Sequence, residues 1–278
     1  MKVVKTIREL RGLLASLRGN GPVGFVPTMG SLHEGHLSLI RKSREACGCT
    51  VVSIFVNPTQ FGPHEDFIRY PRDIPRDLAL IGSLADIVFI PGEAELYPPG
   101  ASTWVTVEGL SGILEGGDRP GHFRGVCTVV MTLFHIVMPD SAYFGWKDAQ
   151  QLIIIRAMAR DLAMRVRIVG MPTVRDPDGL AVSSRNVRLS PADRSAALCL
   201  SRSLHHIREM VELTGIRKPE LLLAEGKKII AASVGVELQY LEIADREMLR
   251  PVNKADENAM VLGAIRVGGV RLIDNIFL

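Results

Sequence analysis

Short β-branched runs alternate with amphipathic stretches through residues 1–170. Residues 23–26 read as a strand and 32–46 as a helix. The run over 51–56 is almost wholly apolar, as expected of a strand covered on both sheet faces. A helix over 77–84, strands over 87–90 and 104–107, and a helix over 126–137 follow. A strand over 142–144, a helix over 149–162 and a strand over 166–169 complete the series. Such alternation predicts a parallel sheet with right-handed crossovers, with ligands bound beyond the carboxyl ends of the strands.

The rhythm changes after Pro172. Arg175-Asp-Pro-Asp-Gly179 is turn chemistry. Ser190 followed by Pro191 predicts a capped helix running to about residue 213. A second helix is expected over 219–233. Segments 238–243, 259–267 and 270–273 read as a small antiparallel sheet. The expected organisation is an α/β domain over residues 1–174 and a smaller α+β domain over 175–278.

Composition narrows the chemistry. Of 278 residues, 47% are hydrophobic and only 5% aromatic, so the core rests on Val, Ile, Leu and Ala. That favours layered helices and parallel strands over an aromatic-rich sandwich. The net charge of +3 is spread among acids, without the basic stripe of a nucleic-acid binder. It suits a polyphosphate ligand equally well. Cys47, Cys49, Cys127 and Cys199 form no CxxC pair and are expected as free thiols in a reducing compartment. The start, Met1-Lys2-Val3-Val4-Lys5, lacks an apolar signal core, and no stretch is apolar enough to span a membrane. A cytoplasmic location is the expectation.

Gly19-Asn-Gly21-Pro-Val-Gly24 matches GxGxxG in letters, but it precedes the first strand instead of joining strand to helix. Neither a Walker A sequence nor a GxSxG elbow is present. The strongest signal is Pro27-Thr-Met-Gly-Ser-Leu-His33-Glu-Gly-His36, directly after the first strand. Its HxGH pattern places His33 and His36 on one face at a helix start, where partial positive charge suits a phosphate. Gly35 keeps the backbone slim there. A pair of surface histidines and two ligands of a zinc site are the competing readings. At Phe144-Gly-Trp-Lys147-Asp148-Ala-Gln-Gln151, Lys147 offers a point charge for phosphate, while Asp148 equally suits plain helix capping. Val182-Ser183-Ser184-Arg185-Asn186 reads either as a phosphate clamp at the domain boundary or as a polar linker. In Ser53-Ile-Phe-Val-Asn57-Pro-Thr-Gln60-Phe61-Gly62, Asn57 and Gln60 offer amides for hydroxyls and a carboxylate; an Asn-Pro turn is the alternative.

Together PTMGxLHEGH, SIFVNPTQFG, YPRD, RPGHFRGV, the Lys147-Asp148 loop with Gln150-Gln151, and SSRN resemble the pantothenate synthetase (pantoate–β-alanine ligase) family. The resemblance implies a Rossmann-like catalytic domain with a smaller carboxyl-terminal lid domain. It implies an AMP-forming ligase that condenses pantoate with β-alanine, through an enzyme-bound pantoyl adenylate, into the coenzyme A precursor pantothenate. ATP enters with Mg2+, a homodimer is usual, and neither nucleic acid nor membrane is a partner. The family's ATP loop falls on Met29, Gly30, Ser31, Leu32, His33, Glu34, Gly35 and His36. Further ATP positions fall on Gly145, Trp146, Lys147, Asp148, Val174, Val182, Ser183, Ser184 and Arg185. His36 matches the proton donor, with His33 and Lys147 stabilising phosphate charge. Gln60 and Gln151 match pantoate contacts, Gln60 also lies beside the β-alanine site, and Asp77 matches an acidic position linked to magnesium.

The chain departs from the pattern at Trp146, where Glu or Gln is common, and at Val182, where Met is common. Ala149 replaces a frequent Tyr, and Arg76 an often acidic residue. Two rivals stay open on sequence: another HxGH nucleotidylyltransferase with a stable nucleotide product, and an RNA-binding module on a synthetase-like fold.

Overall fold

The computed structural model describes residues 1–63, 65 and 67–278. The chain divides into two units, Met1–Gly145 with Gln150–Pro172 and Trp146–Ala149 with Thr173–Leu278.

Six parallel strands build the sheet of the first unit: β1 (Lys2–Val4), β2 (Val23–Thr28), β3 (Cys49–Ile54), β4 (Ile87–Phe89), β5 (Ser141–Gly145) and β6 (Arg167–Met171). Their spatial order is β1-β4-β3-β2-β5-β6. The helices between them are α1 (Ile7–Leu17), α2 (Glu34–Ala46), α3 (Ile74–Ile81), α4 (Glu93–Leu96), α5 (Glu115–Asp118), α6 (His122–Val137) and α7 (Ala149–Asp161). Register pairs Phe25 with Val51, and Val26 with Val52, which in turn pairs with Val88. Successive side chains point to opposite faces. Val26, Val52 and Val88 therefore share a buried cluster with Leu37 and Ile40 of α2 and Ile81 of α3. Phe25, one residue out of step, meets Phe134 of α6 edge-on at 6.3 Å. Helices thus cover both faces, and β3 is buried along its whole length, Thr50 and Ser53 included, as expected of a strand with few polar residues.

Strand order reverses at β2, which pairs with β3 on one side and β5 on the other. Ligands of open α/β sheets bind at such a switch point, beyond the strands' carboxyl ends. Here those ends are Thr28 and Gly145.

Two differences from the sequence reading stand out. Residues 104–107, expected as a strand, have no strand partner among the described residues. The Val105 N–H donates to Thr128 Oγ1 at 3.0 Å, and the Arg124 guanidinium sits 4.7 Å from the Trp104 ring centroid. β-propensity reflects fit to a pleated neighbour, and none is supplied. Conversely, β1 and α1 escaped the sequence reading. Thr6 and Glu9 form a reciprocal capping box that starts α1.

The second unit carries α8 (Pro191–Glu209), capped by Ser190, and α9 (Pro219–Ala231). An antiparallel sheet follows in the order β7 (Val236–Asp245), β8 (Ala259–Val267), β9 (Val270–Phe277). Gly268 and Gly269, both with positive φ (56° and 74°), make the two-residue turn joining β8 to β9. Leu200, Leu204 and Ile207 of α8 pack with Leu222, Leu241, Val261 and Ile265 in this unit's core. Among the described residues no helix is long and apolar enough to cross a membrane.

Candidate active site

The site grows from the turn after β2. Thr28 Oγ1 donates to the Ser53 carbonyl at 2.8 Å and accepts from the Gly30 N–H at 3.2 Å. Gly30 (φ 79°) and Ser31 (φ 52°) then both adopt left-handed backbone, reversing the chain. Their conformation is held by Asp77, which is fully buried. Its Oδ2 accepts from the Ser31 N–H at 2.8 Å and its Oδ1 from the Leu32 N–H at 2.7 Å. A Cβ on Gly30 would lie 2.9 Å from that Oδ2, so both freedom of φ and lack of a side chain are needed there. Asp77 is delivered by α3, which starts where Asp73 caps the Arg76 N–H (3.0 Å) with Pro75 in the first turn. That cap is the role of the Asp in the YPRD motif. Arg76 reaches back to the Leu32 carbonyl at 3.1 Å.

His33 is the extended N-cap residue of α2, and His36 lies in its first turn. Their rings stack with centroids 4.0 Å apart and 30° between planes. A Cβ on Gly35 would come within 2.9 Å of His33 Cε1, so Gly35 makes room for the folded-back imidazole. The first N–H groups of a helix have no carbonyl partner one turn back and carry partial positive charge. Two imidazoles beside such a helix end suit an anion that gains charge during reaction.

The turn after β3 supplies amides. Asn57 Oδ1 accepts from Tyr97 Oη at 2.8 Å and Thr59 Oγ1 at 2.9 Å, while its Nδ2 donates to Gln60 Oε1 and to the Gly125 carbonyl, each at 3.1 Å. Burial raises the Tyr97 hydroxyl's pKa and outweighs the opposing effect of its hydrogen bonds with Thr59 and to Asn57. With Oε1 engaged, Gln60 turns its Nε2 toward Met29 Sδ at 3.1 Å, which fixes the amide's donor side. RPGHFRGV seats this turn. The Gln60 carbonyl lies 2.8 Å from His122 Nδ1, Arg119 is 3.1 Å from His122 Nε2, and Arg119 pairs with Glu65. Gly125 lets α6 approach so closely that a Cβ would stand 2.4 Å from the Thr59 carbonyl. The motif is visible in the sequence, but its job is a contact across 62 to 68 residues. Tyr97 carried no sequence signal.

In the first unit, then, Met29, Gly30, Ser31, Leu32, His33 and Gln60 lie on two adjoining turns, with His36 following in α2 and Asp77 tying the first turn to α3. Glu34 pairs outward with Arg41. Gly145 ends β5, and Gln151 sits half-buried on α7. Its neighbour Gln150 is committed to structure, donating to the Leu110 and Ile113 carbonyls at 2.8 Å and accepting from the Glu115 N–H at 3.0 Å.

The second unit holds Trp146, Lys147 and Asp148. Lys147 Nζ stands 3.5 Å from Asp148 Oδ1. Asn275 of β9 donates to the Trp146 carbonyl at 2.7 Å and the Lys147 carbonyl at 3.0 Å. Phe277 meets the Trp146 ring edge-on at 4.9 Å. Further along the chain in the same unit, the Val182 N–H donates to the Val174 carbonyl at 3.0 Å and Ser183 Oγ accepts from the Arg185 N–H at 3.3 Å. Ser184 is half-buried in the same loop.

A metal at Asp77 does not fit this arrangement. Both carboxylate oxygens already accept backbone N–H groups, and the side chain is closed to solvent. Among the described residues no group of three or more His, Cys, Asp or Glu is arranged to hold an ion.

Comparison with known proteins agrees with the site's motifs. The family model described as pantoate-beta-alanine ligase matches residues 2–277. Pantothenate synthetase of Thermotoga petrophila is 51% identical over 280 residues, covering 100% of both chains. The crystal structure of pantothenate synthetase from Thermus thermophilus superposes with TM-score 0.94 at 47% identity, covering 100% of this chain and 99% of that one. Pantoate-beta-alanine ligase from Francisella tularensis, crystallised with beta-gamma ATP and beta-alanine, gives 0.80 at 35% identity over 100% of this chain and 97% of that one. The chain belongs to the pantoate–β-alanine ligase family.

Proposed function

We infer that the chain condenses pantoate with β-alanine at the expense of ATP. The observation that carries this reading is the stacked His33–His36 pair at the start of α2, directly beyond the carboxyl end of β2 at the sheet's switch point. The Francisella tularensis complex with β-alanine supports the choice of amine.

In the first step a pantoate carboxylate oxygen attacks the α-phosphorus of MgATP. The bond to the bridging oxygen breaks, and pyrophosphate leaves with the electron pair. Negative charge gathers on the phosphoryl oxygens, where fixed donors lower the barrier most. His33, His36 and Lys147 supply those donors. The remaining ATP contacts are the loop from Met29 to His36, Gly145 to Asp148, Val174, and Val182 to Arg185. Gln60 and Gln151 hold pantoate. Gln60 presents an N–H donor to an anionic or hydroxyl oxygen because Asn57 occupies its carbonyl. In the second step the uncharged amine of β-alanine, held beside Gln60, attacks the acyl carbon. AMP leaves, and the amine gives up a proton as the amide forms. Magnesium comes with the nucleotide. A homodimer and a cytoplasmic location complete the reading.

Radiolabelled pyrophosphate–ATP exchange with pantoate present and β-alanine absent tests it. Pantoate-dependent exchange, followed by AMP and pantothenate once β-alanine is added, is the expected result. Failure of pantoate to support exchange, with ATP still bound, would mean that the acid is wrong. A stable nucleotide product without an amine would favour another HxGH transferase.

A further inference from the structure

We propose that Asp77 is a positioning residue that shapes the turn carrying His33 and His36, and that it does not ligate a metal. This rests on the reading of those histidines as phosphate-handling groups. The sequence alone offers an acid at a helix start, which suits either role. Geometry separates the two. The carboxylate is fully buried, and each of its oxygens accepts one N–H, from Ser31 at 2.8 Å and from Leu32 at 2.7 Å. Charge-assisted bonds of this kind are among the stronger ones a carboxylate makes to backbone. They act on the residues that most need holding. Ser31 keeps a left-handed φ of 52° without being glycine, a conformation that costs free energy unless its surroundings impose it. Leu32, fully buried, is the residue that precedes His33. Arg76, 3.9 Å from Asp77, donates to the Leu32 carbonyl, so the next peptide is gripped as well.

Two consequences follow. Rotation of the Ser31 and Leu32 peptides would swing His33 off its stack with His36, because the gripped amides directly precede the helix cap. In addition, the Ser31 and Leu32 amides are spoken for.

The test uses Asp77→Asn in the full-length protein. Asparagine can accept from one amide, but its NH2 would face the other donor. Pantoate-dependent exchange should slow by about 10²-fold through kcat, the size expected for reacting groups displaced by an ångström, with little change in KM for ATP. The magnesium concentration for half-maximal activity should not move. A raised magnesium requirement, with rate restored at high magnesium, would overturn the proposal in favour of direct ligation; unchanged kcat would also overturn it. Gly30→Ala, which pushes a methyl against Asp77 Oδ2, is the second variant and should reproduce the kcat loss. It carries the test if Asp77→Asn does not fold, as judged by circular dichroism and thermal melting. An independent readout is the imidazole NMR signals of His33 and His36 without ligands. The stacked rings' mutual ring-current shifts should disappear in either variant; their persistence would overturn the proposal. That readout needs no reaction, so absence of exchange in the unmodified protein would sink the ligase reading alone.

Discussion

Asn275, on the last strand of the chain, donates its side-chain amide to the carbonyl of Lys147, 128 residues earlier, at 3.0 Å. The same Nδ2 also serves Trp146, and Asn275 is itself buried. Removing the amide leaves two carbonyls without that donor and frees the segment that carries the Lys147 side chain. Asn275→Ala should therefore slow pantoate-dependent exchange by roughly 10-fold. Lys147→Ala should slow it by roughly 10²–10³-fold, through lost charge stabilisation in the transition state. Combined, the two should be no slower than Lys147→Ala alone, since the first acts through the second. Additive losses would show that Asn275 matters for another reason.

Gly125→Ala should disturb the amide turn. Its Cβ would stand 2.4 Å from the Thr59 carbonyl and 2.7 Å from Gln60 Cα, both of them backbone that cannot swing aside like a flexible side chain. Overpacking of this kind costs about 1–3 kcal/mol, readable as a lower midpoint in thermal or urea unfolding. Displacement of Gln60 should raise KM for pantoate more than for ATP. Equal rises would detach Gln60 from pantoate.

Acid sensitivity has an identifiable contributor in the second unit. Partial burial raises the pKa of Asp245, but N–H groups of Met248, Glu247 and Arg250 outweigh it, so the carboxylate ends below its ordinary 3.8. Those amides lie 2.6, 2.9 and 2.7 Å from its oxygens. A depressed folded-state pKa stabilises the fold above the ordinary value and loses that effect as pH falls toward the folded one. Asp245→Asn should thus be less stable than the unmodified chain at pH 7, with the gap closing below about pH 4. Urea melts across that range measure it. A gap that widens in acid would contradict the assignment.

Thiol reactivity should single out Cys47. Burial pushes the Cys127 thiol up to about 12, and burial, with help from the Asp86 charge, pushes Cys49 up to about 11. Burial also raises Cys199. Cys47 is only half-buried, 3.4 Å from the Tyr143 hydroxyl. Iodoacetamide at about pH 8 should label Cys47 first in the native protein and all four thiols in urea, as peptide mapping would show. Comparable native labelling of Cys127 would mean that α6 opens readily.

Local patterns were sufficient for much of this chain. The almost wholly apolar run over 51–56 marks β3, which the structure places two residues earlier at Cys49–Ile54; the segment 259–267 is β8 to the residue, and Ser190-Pro191 starts α8. HxGH after a strand marks the histidine pair, because strand, sharp turn and helix cap are all written within a few residues. Thr6 and Glu9 carried a legible cap as well, although β1 and α1 went unread. These are short-range effects of propensity, capping and periodicity, and a linear sequence displays them directly.

Tertiary structure decided the rest, because it depends on distances between residues far apart in the chain. Strand order placed β5 beside β2 and so located the switch point. Among the described residues, 104–107 find no strand partner and so form no strand. From the sequence, Asp77 opens the helix expected over 77–84, and by resemblance it matches an acidic position linked to magnesium. Burial and the approach of Ser31, 46 residues away, turn it into an acceptor for backbone amides. A carboxylate's chemistry is set by whatever fills its lone pairs, and only the folded chain brings those donors to it.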